Sequence, residues 1–332
     1  MLPFNKKSYL ILAVGGGGDV ATAAALAVIL RRHGYRTVVG SIVWERFTID
    51  PTPGPIPIRN IVNCREIGEH ACIVDKSSYA LRRGRKIIFQ AVNAAKALGE
   101  EVIVVDITEG VKGYKRGIES ILAHFGLDGV IGVDVGGDIL AHGFEENLWS
   151  PLADSLGLAV LTKISESYLV VHGLGSDGEL SLDYLFERLG IVAKHKGLLG
   201  ITGFTSREIE LLENIFKYVE SEASYNTLLA LKGFTGYRKI RLGTRKVYIS
   251  PLNLVSFILD PHVVYRESLL ARTVDNTSSI EEARRRLNAI GIYTEYDLEE
   301  DLARRGLNAE KAIDGALIVK IREEGKRRLV KR

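Results

Sequence analysis

Three glycine-containing stretches of this 332-residue chain gather the residue types that bind ions and move protons. The first is the run Gly15, Gly16, Gly17, Gly18 and Asp19. The second, DVGGD, supplies Asp134, Gly136, Gly137 and Asp138, with His142 and Glu145 close behind. The third, HGLGSDGE, supplies His172, Asp177 and Glu179. Carboxylates crowded into one cleft repel each other unless a cation or a proton intervenes. Hard oxygen ligands such as Asp134, Asp138 and Glu145, with Asp19 facing them, suit Mg²⁺ or Mn²⁺. His172, Glu179 and Asp177 are the candidates to handle a proton. Gly15, Gly16, Gly17 and Gly18, together with Gly136 and Gly137, bring backbone N–H groups close to a bound phosphate or carboxylate. The plainer alternative is that Asp138 caps a helix, Asp134 bonds loop amides and the glycines only let a helix pack on its sheet.

The glycine run fits neither common nucleotide motif. It lacks the Lys-Ser/Thr of a phosphate-binding P-loop, and Val20 stands where a dinucleotide fingerprint needs its third glycine. NAD is therefore not an expected cofactor.

Each of these stretches follows a short apolar run, and that placement gives them meaning. Residues 9–14, 37–43, 101–105, 129–133 and 167–171 are rich in Val and Ile and read as strands buried on both faces. Between them, residues 20–32, 86–98 and 113–125 carry helical spacing, and Ser150-Pro151 offers an N-cap and first-turn pair for a helix through residue 161. Strand and helix in alternation predict an α/β protein with a Rossmann-like, doubly wound, mostly parallel sheet. In such sheets ligands bind at the carboxyl ends of the strands, where these loops lie, together with Trp44, Glu45 and Arg46 after the second strand. A membrane span through residues 9–30 is excluded by the glycines and by Asp19 near its middle. Residues 50–58 hold four of the eight prolines and read as an ordered loop or extended edge.

From about Gly203 the pattern changes, which divides the chain into a core, residues 1–203, and a helical or mixed C-terminal region, residues 204–332, packed on it. Residues 206–232 read as one or two helices, 246–249 as a short strand and 279–289 as a helix begun by a serine cap. The basic tail from residue 322 is expected to be solvated or frayed. Residues 233–246 gather Arg238, Lys239, Arg241, Arg245 and Lys246 around Tyr237; an exposed strand pair with alternating charges explains them, and phosphate or RNA binding is the rival reading. The net charge of only +3 argues against nucleic acid as the main partner. Two cysteines, Cys64 and Cys72, are too few for a disulfide scaffold, and a buried reduced pair is expected. No signal-peptide core is evident, so a cytoplasmic protein without membrane partners is expected. A single Met and a single glutamine, Gln90, amid 26% charged residues lean towards a thermophile. Apolar helices in the second half leave room for a homodimer.

The segments AVGGGGDVATAAALA and GVDVGGDIL, with the later SPLADSLGLA, resemble the signatures of an archaeal family catalogued as domain of unknown function 1152. That resemblance implies the fold and the site's location and names no reaction. A more distant likeness, to the D-glutamate cyclase family of metal-dependent lyases, rests on the Gly/Asp turn leading into an alanine-rich helix and on the later Asp-x-Gly-Gly element. It implies that the glycine loop binds a substrate carboxylate and that Asp134 and Asp138 are metal residues, although Asp138 stands where the cyclases carry asparagine. The residues together lead to one expectation: an enzyme acting on a small carboxylated or phosphorylated metabolite with a divalent metal held by the acidic loops. The rivals are a nucleotide-binding regulatory protein without turnover and an RNA-associated protein.

Overall fold

The computed structural model describes residues 2–307 and 313–330. Its centre is a nine-stranded sheet. In chain order the strands are β1 (Ser8–Ala13), β2 (Arg36–Ile42), β3 (Arg65–Glu66), β4 (Ala71–Val74), β5 (Val102–Val105), β6 (Gly129–Val135), β7 (Ser167–His172), β8 (Leu198–Gly203) and, after a separate hairpin of β9 (Gly236–Ile240) and β10 (Arg245–Ile249), β11 (Val255–Leu259). The order across the sheet is β8-β11-β7-β6-β1-β2-β5-β4-β3. The middle five strands are parallel, and the flanking pairs are antiparallel. This is the Rossmann-like α/β architecture. The chain winds from β1 outwards through β2 and β5, then returns to lay β6 and β7 on the other side. Strand order therefore reverses between β1 and β6, and the crevice at their carboxyl ends is the expected ligand position.

Alternation along β1 shows why its residues are continuously apolar. Leu10 and Leu12 face one hydrophobic layer, and Tyr9, Ile11 and Ala13 face the other. The first layer is closed by α3 (Gly110–Phe125), α4 (Pro151–Leu161), α5 (Leu182–Lys194), α8 (Pro261–Glu267), α9 (Leu269–Val274) and α10 (Ile280–Ala289). The second is closed by α1 (Val20–Arg32), α2 (Gln90–Leu98), α6 (Ile209–Phe216) and α7 (Glu222–Leu231). A strand covered on both faces needs an apolar residue at every position, which is the signal the sequence carries.

Two expectations are corrected. The helix expected over residues 86–98 begins only at Gln90, because Arg85–Ile87 pairs with Tyr79–Arg82 in a small separate sheet. Arg83 and Gly84 both take positive φ there (48° and 78°), the two-residue turn that suits a hairpin. The basic tail is not frayed through residue 330: it forms α12 (Gly315–Val330), and the buried Arg322 donates to the Glu146 and Leu148 carbonyls and lies over the Trp149 ring. Residues 331 and 332 of that tail lie outside the described residues. A boundary at Gly203 falls between β8 and β11, which pair with each other in the main sheet. Both cysteines are free, Cys72 buried and Cys64 half-buried.

Helix α11 (Glu295–Arg304) packs with α12 over one end of the sheet and brings two glutamates to the crevice. Its start is fixed by a reciprocal cap in which Thr294 accepts from the Asp297 N–H while Asp297 accepts from the Thr294 N–H and hydroxyl. Thr294→Ala removes one side of that exchange at a fully buried position and is expected to cost about 1 kcal/mol of stability. Chemical denaturation measures it; an unchanged midpoint would mean that packing alone sets the helix start.

Candidate functional site

The crevice between the ends of β1 and β6 is a half-open cavity. Among the described residues it is lined by nine carboxylates and three arginines, Arg46, Arg241 and Arg245. Asp19 and the four glycines come from the turn after β1, Asp138 from the turn after β6, Asp177 and Glu179 from the loop after β7, and Asp154 from the first turn of α4. Glu45 follows β2, and Glu295 and Glu299 stand on α11.

The glycines have a steric reason. A Cβ on Gly15 would lie 2.6 Å from Asp154 Oδ1, 2.7 Å from Asp19 Oδ2 and 3.2 Å from Asp134 Oδ1, so three carboxylates converge on its bare Cα. One on Gly17 would lie 2.5 Å from Glu45 Oε1, and the Gly17 N–H ties the turn to the Trp44 carbonyl (3.1 Å). Gly136, at φ 121°, passes so close to Asp177 that a side chain there would overlap it. Gly16 is different: its Cβ position is open space, on the cavity side.

Five carboxylates cluster at the floor: Asp138, Asp154, Asp177 and Glu179 line the cavity, and Asp134 joins their cluster without lining it. Asp134, Asp138 and Asp154 each offer an oxygen such that the three lie within 4.8 Å of one another, and Asp138, Asp177 and Glu179 do the same. All five are buried. Asp134 accepts from the Gly137 N–H (3.0 Å), and Asp138 shares the single Ser150 hydroxyl proton (3.0 Å) with Glu179. Glu179 accepts from the Trp149 and Ser150 N–H groups and the Ser150 hydroxyl, and pairs with Arg245 at 2.8 Å. Four oxygens receive no N–H or O–H from a neighbouring side chain: Asp134 Oδ1, Asp154 Oδ2 and both oxygens of Asp177; Asp138 lies within proton-sharing reach of both Asp134 and Asp154. Burial, reinforced by the neighbouring acids, pushes Asp134, Asp138, Asp154 and Asp177 well above the usual carboxylate range. Asp19, half-buried, is pushed up to about 7 by burial despite the nearby Arg241 charge.

Other expected residues are placed elsewhere. His172 is fully buried, with Nδ1 2.8 Å from Ser256 Oγ and Nε2 2.9 Å from Thr227 Oγ1, and burial takes it down to about 3. It does not line the cavity. Glu145 accepts from the His142 and Gly143 N–H groups and from the Tyr184 hydroxyl, closing its own turn, and belongs to neither metal-capable triad. Asp154, Glu295 and Glu299 join the site without being forecast by local sequence pattern, and Arg241 and Arg245 come from the basic segment whose charges the sequence assigns first to an exposed strand pair. A lone carboxylate in the otherwise apolar ADSLGLAVL of α4 is the available signal for Asp154.

The basic segment turns inward. The β9–β10 hairpin is an exposed strand pair, yet Arg241 in its connection and Arg245 at the start of β10 line the cavity. Arg241 and Leu242 hold left-handed φ (54° and 56°), a conformation that costs a bulky residue energy and marks a position fixed by its surroundings. Arg241 has no partner at Nε, and burial with the nearby Arg46 and Arg245 charges lowers it to about 10. Arg238 bonds Asn226 and the Glu222 carbonyl, which leaves Lys239 and Lys246 as the outward cations of the group.

The profile of a family described as protein of unknown function (DUF1152) matches residues 10–303. Neither a curated protein nor a solved structure matches the chain. No helix among the described residues is long and apolar enough to cross a membrane.

Proposed function

The chain belongs to the family described as protein of unknown function DUF1152, and we propose that it is an enzyme that binds a small carboxylated or phosphorylated metabolite beside Mg²⁺ or Mn²⁺ at the carboxyl edge of its sheet. One observation carries the reading: Asp177 is buried with both oxygens partnerless, beside further orphaned oxygens on Asp134 and Asp154. A buried carboxylate without a partner costs several kcal/mol, and a protonated one still needs an acceptor for its hydroxyl. A hard cation satisfies these oxygens together. The ligands would be Asp134, Asp138, Asp154, Asp177 and Glu179, all oxygen donors of the kind Mg²⁺ and Mn²⁺ take.

A bound cation also makes an anionic substrate compatible with so acidic a cavity. It would polarise a carboxylate or phosphoryl oxygen of that substrate. Arg241, with a partnerless Nε, faces the same space and supplies a donor for the anion. Asp19, half-buried in the lining, is placed to take or give a proton. Since both ring nitrogens of His172 are engaged away from the cavity, the proton task falls to the carboxylates.

The test is calorimetric titration of the full chain with Mn²⁺ and Mg²⁺, then thermal-shift panels of phosphorylated and carboxylated metabolites with and without metal. Metal uptake, and metabolite binding that needs the metal, are expected, with both lost in Asp134→Ala while the fold is kept. Unchanged titrations in Asp134→Ala would refute the metal assignment. Product analysis after incubation with each bound metabolite separates an enzyme from a sensor without turnover.

A further inference from the structure

We propose that the acidic floor holds two divalent cations bridged by Asp138. The inference rests on the metal reading above and adds the number of ions and the residue that joins them. Two triads meet the geometric need of a cation site, Asp134 with Asp138 and Asp154, and Asp177 with Glu179 and again Asp138. Oxygens bound to one six-coordinate Mg²⁺ at about 2.1 Å lie at most about 4.2 Å apart, so triads spanning no more than 4.8 Å need only small side-chain shifts.

The orphaned atoms fall on both sides of Asp138. Asp134 Oδ1 and Asp154 Oδ2 belong to the first triad, and both Asp177 oxygens belong to the second. One ion in the first triad leaves Asp177 buried with two bare oxygens. One ion in the second leaves Asp134 and Asp154 each with a bare oxygen. Occupation of both triads gives each of Asp134, Asp154 and Asp177 a cation to bind.

Charge leads to the same count. Of the five floor carboxylates, Glu179 has Arg245 at 2.8 Å, and no other floor carboxylate has an arginine or lysine in ion-pair contact among the described residues. Ionised to bind metal, the other four carry four negative charges, which two divalent cations neutralise and one does not. Asp138 sits where a bridge must be. The left-handed Gly137 (φ 101°) leads into it, and the Ser150 hydroxyl, at the start of α4, lies between its Oδ2 and Glu179. A carboxylate shared between two ions is the common element of sites that stabilise both the attacking and the leaving oxygen of a displacement.

The experiment titrates the full-length protein with Mn²⁺ by calorimetry and records electron paramagnetic resonance at saturation. Two ions per chain and a spin-coupled spectrum are expected. Asp154→Asn and Asp177→Asn should each retain one uncoupled ion, because each leaves the other triad whole. Asp138→Asn should abolish the coupling and weaken both ions at least tenfold. Each substitution relieves repulsion among buried acids, and circular dichroism checks that the fold is kept; the wild-type count and spectrum decide the matter even where a variant fails to fold. One uncoupled ion per wild-type chain would overturn the two-ion inference and leave the metal reading standing. Absence of Mn²⁺ uptake would overturn both.

Discussion

The metal-free protein is expected to become more heat-stable when acidified from about pH 8.5 to about pH 5.5, with the midpoint rising by at least about 5 °C. Three glutamates of the cavity wall set the sign. Burial lifts Glu299 to about 8 and Glu45 and Glu295 to about 7, against an ordinary value of 4.5. Hydrogen bonds oppose the lift: Gly54 and Trp44 donate to Glu299, Gln90 to Glu45, and Ala153 and Leu152 to Glu295. Neighbouring acids add to it, Glu295 and Asp50 on Glu299, Asp50 and Glu220 on Glu45, and Glu179 on Glu295. Because the folded chain holds these protons more tightly than the unfolded one, the stability they give is complete below about pH 4.5 and is lost as the pH climbs through 7 to 8. His172 works in the opposite direction, since its folded value near 3 lies below 6.5 and the unfolded chain takes its proton first. Three raised glutamates outweigh one depressed histidine. Each glutamate contributes on the order of 1 kcal/mol for every tenfold by which folding tightens its hold on the proton. Scanning calorimetry in chelator-containing buffers measures the trend. Glu299→Gln keeps an oxygen for the Gly54 and Trp44 donors and removes the charge, so it should melt higher than wild type at about pH 8.5 and gain nothing at about pH 5.5. A midpoint that is flat or falls on acidification would sink the account.

How much of this is legible in the sequence follows from the range of the forces involved. The five parallel strands can be read because burial on both faces writes itself as unbroken Val/Ile runs, and α1 can be bounded closely because its alanine-rich face meets the sheet directly. The acidic loops can be read too, since glycine and aspartate recur after β1, β6 and β7. What local pattern does not show is the part of the site assembled by tertiary packing. Glu295 and Glu299 arrive from a helix late in the chain whose cavity-facing side is set by its contact with α12. Arg241 and Arg245 look, in sequence, like alternating surface charges; the side of a two-stranded ribbon that faces inward depends on where the ribbon is laid. His172 misleads for a related reason. It ends a buried strand, and a side chain there can point to the crevice or into a layer; Ser256 and Thr227 on neighbouring elements draw it into the layer.

The glycine run raises the question of why the backbone is bare, and two adjacent substitutions answer it in opposite ways. Gly15→Ala is expected to lower Mn²⁺ affinity about 10–100-fold while leaving the fold in place. Its backbone is not left-handed, so alanine brings no conformational strain. The methyl would instead occupy the point on which Asp154, Asp19 and Asp134 converge, at 2.6, 2.7 and 3.2 Å. Those atoms are the free ends of side chains, so they can swing aside, and folding loses little. Swinging aside is what a cation ligand cannot do without loss, and Asp134 and Asp154 belong to the same triad. Gly16→Ala makes the comparison. Residue 16 is extended (φ 169°, ψ 169°), any residue adopts that conformation, and nothing lies within 4 Å of its Cβ position, so fold and Mn²⁺ affinity should both stay unchanged. Calorimetry on the two variants side by side distinguishes the roles. Equal Mn²⁺ affinity in Gly15→Ala and wild type would mean that the carboxylates crowded on Gly15 do not hold the ion, and that the glycine serves only the packing of α1 against the sheet.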